Sequence, residues 1–407
     1  MTRSAYRLLC ALLLCAGLAS CARFPLFRST GPDKVVLESS SYGSLPGWQE
    51  DAVADVLPAL RRSCAAMEKM PGRLAIGDDG LAGTAADWGA PCRAAERVPA
   101  GDHDSARRFF EQWFDPYLVT NKGEAKGTFT GYYEIELKGS LGQGGAYQTP
   151  LLGKPKDLVS ADLELFNPEW KQETVVGRVE NGRFKPYPTR SGIEAGALAG
   201  VVAPVLWVDD PVDAFLLHIQ GSGRVRLDNG QETRIGYAAD NGHKFVGIGN
   251  IMVKRGLIPA DQLNMPAIQS WMRAHPDEAR EIQTENPRYI FFRLISGEGP
   301  IGAQGVALTP GRSLAVDPKF VPLGVPLWLD TTEPGGGPLR RLVMAQDSGG
   351  AIKGPVRGDF FWGTGESAFE KAGRMKSRGR YFILVPRSRS APVAWNGDAG
   401  GASAPFF

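Results

Sequence analysis

Metal-binding side chains are scarce. The four histidines (His103, His218, His243, His275) stand far apart and no Cys-x-x-Cys spacing occurs, so the chain offers no ligand set for a transition metal. No metal and no cofactor is expected. Charge of one sign is lacking too: 46 Lys and Arg against 44 Asp and Glu leave a net charge of +2, too small a basic field to argue for nucleic acid. Beyond the N-terminus no apolar run approaches the ~20 residues that span a bilayer, and no internal repeat is present. What is abundant is glycine (51) and proline (30), which suits a loop-rich β architecture better than a helical one. A mature length of roughly 385 residues points to two domains of ordinary size.

The N-terminus carries an address. Arg3 and Arg7 precede the apolar run 8–20, which is too short to span a membrane and reads as a signal peptide, residues 1–20. Leu18-Ala19-Ser20-Cys21 is similar to a bacterial lipobox, in which the cysteine is lipidated and becomes the mature N-terminus. Several acyl chains, at ~0.8 kcal/mol per buried CH₂, hold stably where one would not. Ala22 in place of Asp favours the periplasm-facing outer membrane. Cys10 and Cys15 leave with the signal peptide and Cys21 with the lipid. Cys64 and Cys92 remain as an even pair in a disulfide-permissive compartment, and a bridge is expected. A catalytic thiol is the rival reading, but neither has a histidine close by in sequence.

Residues 21–45, with Pro, Ser and Gly, read as a tether from the membrane. Val53, Leu57, Leu60 and Cys64 follow a helical period, with Pro58 expected to kink or end the first part. A helix over 104–115 carries the stripe Phe109, Phe110, Trp113 and Phe114, read as core. Strands are expected at 128–137, 174–179, 214–220, 223–227 and 233–237, with Asp228-Asn229-Gly230 as a hairpin turn. A helical stretch follows at 245–280. Further strands are expected at 289–294, 313–316, 325–329, 342–346 and 381–385, with a helix at 366–376 and a loop at 333–338. The tail 388–407 has a disordered composition.

Three segments hold polar residues that a plain β-domain does not need. In 345–363, an apolar strand ends in Asp347, Gly349 and Gly350 follow, and Asp359 precedes Phe360, Phe361 and Trp362. Asp317 ends another strand. Cleaving a glycosidic bond needs a carboxyl that keeps its proton near neutral pH. Phe361 and Asp347 would raise the pKa of Asp359, while Lys353 and Arg357 would lower it, so the sign stays open. Each aspartate alone is more often a turn or cap residue. Three together, with Gly-Gly and an aromatic run, point to a site. The second segment, 218–224, offers Gln220, Ser222 and Arg224 from one turn, suited to sugar hydroxyls, acetamides and a lactyl or peptide carboxylate. The third, 130–134, presents Tyr132 and Tyr133 as stacking surfaces for sugars.

The strings RSLAVD (312–317), VPLG (321–324), AQDSGGAIKG (345–354) and GDFFWGTGE (358–366) resemble the three-aspartate domain of the membrane-bound lytic murein transglycosylase A family. TGYYE (130–134), HIQGSGRVRL (218–227) and GYAADNGH (236–243) resemble that family's other half, and the likeness covers about 127–386. Ser348 stands where threonine is common, and 333–338 is a local expansion. The resemblance implies a mainly β fold with peripheral helices. In it, a double-psi β-barrel domain is assembled from 46–134 and 246–387, with the three-aspartate segment at about 300–387. A second β-domain, 135–245, is inserted. It implies Asp359 as the one catalytic residue and Asp347 and Asp317 as supporting groups. Tyr132, Tyr133, Gln220, Ser222, Arg224, Gly349 and Lys353 would bind substrate. The implied partners are peptidoglycan glycan strands, the membrane through Cys21, and a cell-wall synthesis complex.

The implied reaction is not hydrolysis. The muramyl C6 hydroxyl closes onto C1, its high effective molarity replacing an activated water. Two other readings stay open: an inverting hydrolase of the same glycan using Asp347 or Asp317, and a non-catalytic, expansin-like wall-binding lipoprotein.

Overall fold

A computed structural model describes residues 32–170, 173–297 and 299–387. The expected signal peptide, Cys21 and the tail 388–407 lie outside these residues. In chain order the strands are β1 (Val35–Ser39), β2 (Phe114–Asn121), β3 (Gly127–Ser140), β4 (Thr149–Leu152), β5 (Val159–Asp162), β6 (Thr174–Glu180), β7 (Arg183–Pro186) and β8 (Pro204–Val208). Then come β9 (Ser222–Leu227), β10 (Glu232–Asp240), β11 (Ile290–Ile295), β12 (Ser313–Val316), β13 (Pro326–Thr332), β14 (Pro338–Ser348), β15 (Arg357–Thr364) and β16 (Lys376–Pro386).

Thirteen strands form one sheet in the order β1-β2-β16-β13-β14-β12-β15-β3-β9-β10-β11, with β8 joining β3 to β4. A further pairing of β16 with β3 makes β16, β13, β14, β12, β15 and β3 a closed cycle of hydrogen-bonded neighbours. Strands β5, β6 and β7 form a separate small sheet.

Two main cores lie along the large sheet. The first draws its side chains from residues 35–129 and 314–384, the second from 133–292 with Ala368, Phe369 and Ala372. Strand β3 belongs to both: Phe129 points into the first, and Tyr133, Ile135 and Leu137 into the second. The helices Ile248–Lys254, Met265–Ala274 and Pro276–Thr284 were expected with the 246–387 part, yet they pack in the second core through Ile248, Met252, Met272 and Ile282.

Local chemistry explains where the elements differ from expectation. Residues 214–220 are helical, not extended: Asp210 caps the helix Pro211–Gln220 by accepting from Val212 and Asp213 N–H. Pro211 fits its first turn, and Gly221 ends it with φ of +82°. The short apolar run AFLLHI suits either element, and the caps decide. Pro58 sits in the first turn of the helix Leu57–Met67, where its missing N–H costs nothing, so it begins the helix without kinking it. The aromatic helix His103–Trp113 stops where Phe114 turns extended and starts β2. Part of the expected tether is ordered: β1 pairs antiparallel with β2. Cys64 and Cys92 are bridged, with Cα atoms 5.6 Å apart, joining Leu57–Met67 to the helix Ala85–Ala95. Arg312 anchors the same helical region, donating to Asp51 at 2.7 Å and to Ala52 O at 2.8 Å. Among the described residues no helix is long and apolar enough to cross a membrane.

Candidate active site

Strand β12 sets a carboxylate on each side of itself. Ala315 is the register partner both of Asp347 on β14 and of Asp359 on β15. Residues level across a sheet project from the same face, so the two aspartates share one, about 10 Å apart at the backbone, two strand spacings. The side chain level with both is the Ala315 methyl. The row continues into β3, where Thr130 is level with Asp359 and Tyr132 with Phe361. The Tyr132 and Phe361 rings pack with centroids 5.1 Å apart.

The two carboxyls are held differently. Asp347 has both oxygens engaged: Ala303 N–H and Ser348 N–H donate to Oδ1 and the Tyr132 hydroxyl to Oδ2, each at 2.9 Å. Asp359 accepts on Oδ1 from the Thr130 hydroxyl at 2.5 Å, and Arg357 steadies Thr130 from behind at 2.8 Å. Among the described residues nothing donates to Asp359 Oδ2.

Burial pushes the Asp347 carboxyl up to about 6; its three donors oppose that rise and the neighbouring Asp359 adds to it. Burial raises Asp359 as well, against the Thr130 hydrogen bond and the Arg357 charge. Burial and the Asp347 charge hold the Tyr132 hydroxyl well above its ordinary pKa, so it remains a neutral donor. The pair therefore retains a proton into a pH range where isolated aspartates have lost theirs. Of the two, Asp359 is the one that keeps a carboxyl oxygen without a donor among the described residues.

The other expected residues are scattered by comparison. Asp317 is buried and binds the N–H groups of Lys319 and Gly354, at 3.3 and 2.8 Å, so it ties the turn after β12 to the loop before β15. Tyr133 faces away from Tyr132 because strand side chains alternate; it lies in the second core against Phe369 and is not a sugar platform. Its N–H donates to Gln220 Oε1 at 3.2 Å, which links the end of the helix Pro211–Gln220 to β3. Ser222 and Arg224 lie on β9, with Arg224 level with Glu136 of β3. Gly349 accepts from Ile352 N–H at 3.0 Å, and Lys353 is exposed in the same loop, away from the aspartate pair's hydrogen bonds.

Thr130, Arg357 and Ala303 complete the site without having been singled out as its members. Thr130 lies in the TGYYE string, but its role depends on the parallel register of β3 with β15, which no local pattern shows. Among the described residues no group of three His, Cys, Asp or Glu is placed to hold a metal ion.

Family models match in two blocks: the MltA specific insert domain over residues 128–293 and the 3D domain over 312–385. The crystal structure of MltA from Neisseria gonorrhoeae is 33% identical, with a TM-score of 0.72 over 88% of this chain and 94% of that one. A membrane-bound lytic murein transglycosylase from Agrobacterium tumefaciens is 32% identical, with a TM-score of 0.75 over 86% and 98%. The membrane-bound lytic murein transglycosylase A of Vibrio cholerae is 33% identical over 221 residues, 52% of this chain and 59% of that protein. The matched stretch thus spans less than two thirds of that relative's length.

Proposed function

We propose, because this chain belongs to the membrane-bound lytic murein transglycosylase A family, that it cleaves the glycan strands of peptidoglycan by intramolecular transfer, with Asp359 as its acid and base. The observation that carries the reading is the contrast within the pair: Asp347 has no oxygen to spare, while Asp359 has one.

Asp359 protonates the oxygen linking C1 of N-acetylmuramic acid to N-acetylglucosamine, and the C1–O bond breaks. Positive charge grows at C1 and the ring oxygen, facing the now ionised Asp359. The muramyl C6 hydroxyl attacks C1, its proton passes to Asp359, and a 1,6-anhydro end forms with the acid restored. No water is consumed. Thr130 and Arg357 favour the ionised form and burial the protonated one, a balance suited to a group that must be both in one turnover. An inverting hydrolase would need a second carboxylate free to activate water. The three donors on Asp347 argue against that role.

In the same reading the six-strand cycle is the double-psi β-barrel, and residues 135–245 belong to the inserted domain. Gln220, Ser222, Arg224, Gly349 and Lys353 border the groove. Cys21 carries the lipid that holds the chain at the periplasmic face of the outer membrane, with cell-wall synthesis enzymes as candidate partners.

Asp359→Asn is expected to lower release of anhydromuropeptides by about 10²–10⁴-fold, the usual worth of a positioned acid, while still sedimenting with murein. Mass spectrometry of the wild-type products decides the chemistry, since each transfer product lacks the water that a hydrolysis product gains. Reducing muramic acid ends would replace the mechanism, and an active Asp359→Asn would move the acid elsewhere.

A further inference from the structure

The face of β3 that carries Thr130 and Tyr132 continues, two residues at a time, through Glu134, Glu136 and Lys138. Glu136 is level with Arg224 on β9, and Arg224 with Arg234 on β10; Lys138 is level with Arg226, and Arg226 with Glu232. Gly236, two residues beyond Arg234, is level with Arg293 on β11. One face therefore gathers five cations and three carboxylates, in a chain whose whole net charge is +2.

The carboxylates do not neutralise this face evenly. Glu134 is 1% exposed, and it is spent on the Arg234 Nε 3.2 Å away. Glu136 reaches Arg224 only at 4.0 Å, the outer limit of an ion pair. Arg226 and Arg293 are exposed and take no ion-pair partner among the described residues. The Arg224 level lies six residues along β3 from the Asp359 level, about 20 Å at strand rise. That is several sugar rings from the bond to be cleaved and on the same side of the sheet.

We propose that this arginine face is a subsite for the carboxylates that hang from muramic acid, a deepening that rests on the glycan-cleaving reading above. A guanidinium fork matches a carboxylate in two parallel hydrogen bonds, and a row of them suits a polymer that repeats its carboxylates along its length. Two sources share this chemistry: the lactyl group of a stripped strand and the acidic residues of an attached peptide stem. An uncharged glucosamine oligomer offers neither.

The test compares Asp359→Asn with Asp359→Asn carrying Arg226→Gln and Arg293→Gln, in the full chain and with uncleaved ligand. Calorimetry measures Kd for stem-bearing glycan fragments, for amidase-stripped fragments, for chitohexaose and for phosphatidylglycerol vesicles. The two added substitutions touch exposed side chains that form no ion pair among the described residues, and circular dichroism checks that the fold is kept. Affinity for the anionic ligands is expected to fall about tenfold, the combined worth of two exposed charge pairs, with chitohexaose unchanged. A loss confined to stem-bearing fragments assigns the face to the stem; an equal loss on stripped fragments assigns it to the lactyl group. Unchanged affinity for both, or a matching loss with chitohexaose, overturns the subsite. So does a loss seen only with phosphatidylglycerol vesicles, which would assign the face to the membrane. Anhydromuropeptide release by the wild type is scored separately, so failure of the catalytic reading cannot be mistaken for failure of the subsite.

Discussion

Replacing Asp347 by Asn should stabilise the protein while leaving its hydrogen bonds in place. Burial lifts this carboxyl from 3.8 to about 6 in the folded chain. Above that pH the folded state must hold an ionised group that water solvates better in the unfolded chain. A rise of about two pKa units corresponds to about 3 kcal/mol, and solvent reaching the half-buried site reduces this to roughly 1–2 kcal/mol. The amide can keep the contacts. Its carbonyl takes the place of Oδ1, which already accepts both Ala303 N–H and Ser348 N–H. Its NH₂ takes the place of Oδ2, and the Tyr132 hydroxyl rotates from donor to acceptor. The sign of the pH dependence follows. Well below pH 3.8 the wild-type group is protonated in both states and costs nothing. The cost grows as pH rises from about 4 to 6 and is complete above 6. In urea titrations at pH 4, 5, 6, 7 and 8, Asp347→Asn should therefore unfold later than wild type at pH 7 and 8, with the gap much smaller at pH 4. A variant less stable at pH 7, or a gap independent of pH, would refute the reasoning.

Thr130→Val removes a hydrogen bond that lowers the pKa of Asp359, so the acid form should persist to higher pH. The alkaline limb of the kcat profile is expected to move to higher pH, with kcat reduced because Asp359 loses its orienting contact; a limb moving to lower pH would contradict the assignment. The bridge between Cys64 and Cys92 closes a separation of 28 residues, worth roughly 3–4 kcal/mol by chain entropy. Cys92→Ser should lower the denaturation midpoint to match, and reductant should lower the wild type but not the variant. Equal midpoints with and without reductant would show that the bridge contributes nothing.

The parts of the fold legible in the sequence are those written in local pattern. β12, at 313–316, follows from its apolar run and the Asp-Pro that ends it, and the hairpin between β9 and β10 follows from Asp228-Asn229-Gly230. The helix Pro211–Gln220 was equally legible in Asp210-Pro211 and Gly221, but a short apolar run outweighed its caps. β1 was hidden because five residues that become a strand only by meeting β2 carry little signal alone. At the site, the aspartate pair stands out by composition. Which oxygen is free, and which tyrosine faces the pair, depends on register between strands more than two hundred residues apart, as with Thr130 and Asp359. The same alternation that places Tyr132 on Asp347 removes Tyr133 to the core.

That register has a consequence in time as well as space. β2 bonds to β16, and the first half of β3 bonds to β15 and β16, so the first core joins the opening third of the chain to residues 314–384 near its end. The second core draws most of its side chains from the middle and can begin to assemble while the last strands are still missing. Until they arrive, β3 offers one bonded half and one bare half, and Asp359 has no Thr130 beside it. Loop closure over so long a separation is slow. The aspartate pair is thus among the last features of the molecule to form, and a chain that lacks its final strands lacks the contact between Thr130 and Asp359.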